Sequence, residues 1–140
     1  MKILIINGPN LNLLGQREPE IYGDMSFEEY LDKLKKDFPS EEINYFQSND
    51  EGELIERLQA AGKEADAVVL NPGGYTHTSV SLADAVAAIK VPVIEVHISD
   101  PRKREDYRHV SLFEDKCTGT ISGLGLRSYE LAIEHLIDLN

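Results

Sequence analysis

The 140-residue chain is 41% hydrophobic and 28% charged, the balance of one globular domain spanning residues 1–140, and is too short for two ordinary domains. Its formal net charge of −11 argues against nonspecific binding to nucleic acid or to an anionic membrane, since both need basic surface. The single Cys117 cannot form an internal disulfide and has no zinc-site spacing around it, so it reads as a small packed thiol suited to a reducing cytoplasm.

In chain order, "MKILIING" carries one Lys and an apolar span too short for a signal sequence or a membrane helix, and reads as a first strand, Lys2–Asn7. "NGPNLNLLGQREPEIYGD" follows, about 18 residues with no helical period, long enough in a compact domain to suggest function. Gly15 and Gly23 bracket a stretch that holds Arg17 and Tyr22. These two read either as a solvated arginine and a surface-packed tyrosine, or as a lid bringing a cation and a phenol to a ligand. "SFEEYLDKLKKDF" has the capping-box pair Ser26/Glu29, apolar positions at helical spacing and Pro39 as its stop.

A second strand is expected at Ile43–Gln47, then a helix over "EGELIERLQAAG" that stops near Gly62. The third strand, Ala67–Asn71, runs into "NPGGYTHTS". Turn chemistry and an N-cap account for Gly73, Gly74 and Ser79, but leave Asn71 and His77 without a purpose; amides opening a helix at Thr78 or Ser79 would suit an anion. "SVSLADAVAAI" is the next helix.

The fourth strand, Val93–Ile98, carries Glu95 and His97, which with Ser99 alternate onto one face. The pair reads as a satisfied structural histidine or as an acid–base histidine whose tautomer Glu95 sets. "DPRKREDYRH" then places Arg102, Lys103, Arg104 and Arg108 within seven positions. Read as a helix, it pairs Arg102 with Asp106 in solvent and turns Arg104 and Arg108 to one side, where a small acidic substrate would explain them. A last strand at Gly119–Ile121 and a helix over "SYELAIEHLIDL" close the chain; "GLGLRS" between them imitates a dinucleotide fingerprint but has Ser128 where the third glycine belongs. His109 and His135 read as surface residues, and no metal site is apparent.

Short, mostly β-branched runs alternating with helices predict an α/β fold, a five-stranded parallel sheet covered on both faces, in the flavodoxin-like order 2-1-3-4-5. Ligands of such sheets sit beyond the carboxyl ends of the strands, where the loops after strands 1, 3 and 4 share a crevice.

"INGPNLNLLGQREPEIYG", "NPGGYTHTSVSLADA", "EVHISD" and "REDYRH" together resemble the type II 3-dehydroquinate dehydratases, in order and spacing over nearly the whole chain. The resemblance implies a cytoplasmic, cofactor-free lyase that removes water from 3-dehydroquinate in an anti elimination, serving the shikimate pathway of aromatic amino acid biosynthesis or quinate catabolism. It implies Tyr22 as base, His97 as general acid and Arg17 as stabiliser of the charged states. Asn10, Asn71, Gly73, His77, Ile98, Ser99 and Arg108 would meet substrate, with Glu95 and Arg104 in support. Asp84 would come from a neighbouring subunit of a dodecamer built as four trimers. The chemistry is consistent: free tyrosine, with a pKa of about 10, costs roughly 4 kcal/mol to ionise at neutral pH, and a nearby guanidinium offsets much of that. A non-catalytic binding module and a nucleotide or flavin protein of the same fold are the competing readings; the second lacks a phosphate loop after strand 1.

Overall fold

The computed structural model describes residues 1–16, 20 and 24–140. Five parallel strands, β1 (Lys2–Asn7), β2 (Glu42–Gln47), β3 (Ala67–Asn71), β4 (Val93–His97) and β5 (Gly119–Ser122), lie in the order β2-β1-β3-β4-β5. The described residues form four α-helices: α1 (Phe27–Asp37), α2 (Glu51–Glu64), α3 (Val80–Ala88) and α4 (Arg127–Leu139). This is the α/β arrangement expected from the sequence.

Alternation along β1 shows why the central strands are apolar on both faces. Ile3 and Ile5 pack with Phe27, Leu34, Tyr129 and Ile133 of α1 and α4. Leu4 and Ile6 pack on the other face with Leu54, Leu58, Leu82 and Val86 of α2 and α3. Both faces of the sheet are therefore covered at β1, β3 and β4, and a polar side chain on a central strand must find its partner inside the protein.

Three helices begin with side-chain caps. Ser26 accepts the Glu29 amide at 3.2 Å, Asp50 accepts the Glu53 amide at 2.9 Å and Ser79 accepts the Leu82 amide at 2.9 Å. Each such cap contributes about 1 kcal/mol. The α2 helix runs past Gly62 to Glu64, two residues beyond the expected stop. A side chain at Gly62 would meet Ile89 at 2.8 Å, so this glycine lets α2 close on the end of α3 and does not end a helix. Burial pushes the Cys117 thiol up to about 12, which leaves it a packed and unreactive group. Among the described residues no helix is long and apolar enough to cross a membrane.

Candidate active site

The carboxyl ends of β1, β3 and β4 open into one crevice of roughly 150 Å³. Two contacts bring its first walls together. The Gly8 amide donates to the Asn71 carbonyl at 2.8 Å, and a Cβ on Gly8 would lie 2.5 Å from the Pro72 oxygen. Only a glycine lets the loops after β1 and β3 touch in this way.

Register then aligns the two asparagines that end these strands, Asn7 opposite Asn71. Both are buried, and the hydroxyl of Tyr129 on α4 joins them. It donates to Asn7 Oδ1 at 2.7 Å and accepts from Asn71 Nδ2 at 2.9 Å. Asn71 Oδ1 accepts the Gly73 amide at 3.1 Å, so the side chain also shapes the turn that follows. Desolvation raises the Tyr129 hydroxyl far above its ordinary range, and it stays a neutral bridge. Asn7 and Tyr129 escaped the reading of the sequence; the available signal was an asparagine closing each of two apolar strands.

The segment Gly73–His77 is a 3-10 turn. His77 Nδ1 lies 2.7 Å from the Val110 carbonyl, which can only accept, so Nδ1 carries the hydrogen. Two of the amides expected to suit an external anion are already bonded. Those of Thr78 and Ser79 go to the Tyr75 carbonyl, and the Ser79 hydroxyl donates to the Glu51 carboxylate. The Ser79 cap of α3 thus meets a carboxylate within the protein.

At the end of β4, Glu95 has no exposed surface and His97 is 8% exposed. His97 Nε2 donates to Glu95 Oε2 at 2.6 Å. The same oxygen accepts the Ser111 hydroxyl at 2.8 Å, and Oε1 accepts Thr120 Oγ1 at 3.2 Å. Burial pushes the Glu95 carboxyl up, but His97, Ser111 and Thr120 outweigh it and hold the group below the usual carboxylate range. Glu95 is therefore ionised, Nε2 keeps its hydrogen, and Nδ1 is the ring atom through which His97 can exchange a proton with a ligand. The "GLGLRS" run supports this strand end. The Gly123 amide and the Ser128 hydroxyl reach the His97 carbonyl at 3.2 and 3.3 Å, and the Gly125 amide reaches that of Ile98 at 3.0 Å.

The basic stretch is not the helix expected from the sequence. It forms two 3-10 turns, Pro101–Lys103 and Asp106–Arg108, separated by an extended Arg104 (φ −110°, ψ −161°). Arg102 accordingly reaches Glu114 at 3.6 Å, not Asp106. Arg104 and Arg108 both line the crevice despite the broken helix. Arg104 donates to Ser99 Oγ at 3.3 Å; Arg108 donates to Glu105 at 2.6 Å, with its guanidinium 5.1 Å from the centre of the Tyr107 ring.

Asn10, Asn71, Gly73, His77, His97, Ile98, Ser99, Arg104 and Arg108 thus share one cavity. Asp84 does not; it is exposed on α3, beside an open hollow with Val80 and Leu112. Arg17 and Tyr22 lie outside the described residues. Among the described residues, no group of three or more His, Cys, Asp or Glu is arranged to hold a metal ion.

Comparison with known proteins bears on the chemistry of this crevice. The family model described as dehydroquinase class II matches residues 1–137. A "3-dehydroquinate dehydratase" of Lachnoclostridium phytofermentans is 52% identical, with 100% of this chain and 99% of the relative covered. A "Catabolic 3-dehydroquinase" of Emericella nidulans is 47% identical over 96% of this chain and 89% of its own. The crystal structure of a type II dehydroquinase from Butyrivibrio crossotus superposes with a TM-score of 0.94 at 45% identity, covering 98% of this chain and 97% of that one.

Proposed function

The chain belongs to the class II dehydroquinase family, and from that membership we propose how its crevice carries out the work of a 3-dehydroquinate dehydratase, a hydro-lyase that removes water from 3-dehydroquinate to leave 3-dehydroshikimate. The observation that carries the proposal is the His97–Glu95 pair at 2.6 Å, at the wall of a crevice that Arg104 and Arg108 also line.

A proton α to the ketone is removed, an enolate forms, and the β-hydroxyl departs with a proton. Doubly protonated His97 supplies that proton from Nδ1 while Nε2 stays bonded to Glu95. Tyr22 is the base and Arg17 favours its ionised form, roles assigned from the family resemblance and the elementary cost of ionising a phenol. The elimination is redox-neutral, so none of its steps calls for a cofactor. Arg108, with Arg104 behind it, faces the substrate carboxylate. Asn10, Gly73, His77, Ile98 and Ser99 meet the ring and its hydroxyls, and Asn71 has one amide hydrogen beyond its bond to Tyr129. The working particle is a cytoplasmic homo-oligomer, a dodecamer of four trimers, in which Asp84 serves the neighbouring site; its exposure on α3, away from its own crevice, supports that role.

The test is incubation with 3-dehydroquinate while following the absorbance of the conjugated enone near the ultraviolet edge. The expected result is a steady rise. No change at any pH in the neutral range would overturn the reading.

A further inference from the structure

Residues 110–113 form a strut that enters the site at three points. The Val110 carbonyl accepts from His77 at 2.7 Å, the Leu112 amide donates to the Thr76 carbonyl at 2.9 Å, and the Ser111 hydroxyl donates to Glu95 Oε2 at 2.8 Å. Phe113, with no exposed surface, anchors the strut in the core. The Ser111 hydrogen has a defined direction. Its oxygen accepts the Phe113 amide at 3.1 Å, which turns the O–H toward the carboxylate. Glu95 Oε2 is therefore shared by two donors, His97 and Ser111, while Thr120 holds Oε1 from the neighbouring strand. With both oxygens engaged, the carboxylate, which has no exposed surface, cannot rotate about its last bond without breaking hydrogen bonds.

We propose that Ser111 is a positioning residue for the dehydration: its hydroxyl fixes the plane and charge of Glu95, which in turn fixes the His97 ring with its hydrogen on Nε2 and its Nδ1 directed at the departing hydroxyl. The inference rests on the functional reading above and deepens it. Ser111 itself does not line the crevice; it lines a second hollow behind His97. The other titratable or charged groups facing that hollow are His77, Asp100, Arg102, Arg108, His109 and Glu114, and the Cys117 thiol feels the Glu95 charge from within the core. None of them is altered by the Ser111→Ala substitution, so a change in Glu95 reports on that hydroxyl.

The experiment compares wild type, Ser111→Ala, Ser111→Thr and Thr120→Val. It measures kcat and KM for 3-dehydroquinate and the titration of the Glu95 side-chain carboxyl by 13C NMR in glutamate-labelled protein, with the resonance assigned by its loss in Glu95→Gln. Ser111→Ala is expected to lower kcat about tenfold with KM within about twofold, and to raise the Glu95 midpoint by about one pH unit, the effects of one lost hydrogen bond to a charged group. Ser111→Thr, which keeps the hydroxyl, restores both. A Ser111→Ala protein with an unmoved midpoint overturns the proposal, and so does one in which Ser111→Thr fails to restore kcat. Should Ser111→Ala fail to fold, Thr120→Val tests the same clamp from the other oxygen: an upward shift supports it, and no shift overturns it. Absence of turnover in the wild type would instead strike the functional reading, and the NMR midpoints would still decide the clamp.

Discussion

Arg102 and Arg108 belong to the same basic stretch but stand in different surroundings. Arg108 lines the crevice with its guanidinium held by Glu105 at 2.6 Å; Arg102 is largely exposed and reaches Glu114 only at 3.6 Å. Arg108→Ala should raise KM about tenfold or more through loss of a charge-assisted contact, and Arg102→Ala should leave it within about twofold. Equal effects in steady-state kinetics would mean that diffuse positive charge suffices. Glu95 yields a prediction about pH. Its folded-state pKa lies below the ordinary value of 4.5, so the stability it contributes is present above about pH 4.5 and lost as pH falls through the lower, folded value. In Glu95→Gln that loss is absent. Thermal melts from neutral pH down to about pH 3 should therefore show the melting temperature falling more steeply in the wild type below about pH 4.5. Parallel curves would refute the assignment.

Between elements, the contact of the loops after β1 and β3 is the tightest constraint on the site. Gly8→Ala would place a methyl 2.5 Å from the Pro72 backbone oxygen, and backbone cannot move aside as a flexible side chain does. Overpacking of this kind costs about 1–3 kcal/mol, and here it also separates Asn10 from Asn71, so both the melting temperature and substrate affinity should fall. A Gly8→Ala protein with wild-type values of both would show that the loops need not touch. At this scale the sequence was informative where the signal is local. Apolar runs and caps placed β1 and β3 fully and the other three strands to within one residue at each end. It misled where distant packing decides. Gly62 looked like a helix stop because its purpose lies in Ile89, and the basic stretch looked helical although Arg104 is extended. In the site, the residues gathered by strand ends were legible because topology brings those ends together. Ser111 and Tyr129 were not, because their partners are 16 and 58 or more residues away and nothing in their neighbours betrays a polar bond.

At the scale of the whole molecule, the role proposed for Asp84 would tie the subunit to its assembly. If it completes a neighbour's site, Asp84→Ala and Tyr22→Phe proteins, each nearly inactive, should complement one another when dissociated together and reassembled. In a cyclic trimer mixed at random, roughly a quarter of sites would combine an intact Tyr22 with an intact Asp84 from next door. Reassembled oligomers of the correct size that stay as inactive as the parents would show that Asp84 acts within its own subunit or on the surface.

The Tyr129 bridge sets an order of events in the life of the chain. Its hydroxyl meets Asn7 across 122 residues of sequence, joining the first strand to the last helix. On a ribosome, the strands that carry Asn7 and Asn71 emerge long before α4, and until α4 docks, two buried amides at the root of the crevice lack their shared partner. A nascent chain should therefore be inactive until α4 has cleared the exit tunnel and docked. Ribosome-stalled chains of increasing length, assayed for turnover, should show activity only once α4 is fully outside; activity from shorter chains would show that the crevice forms without it.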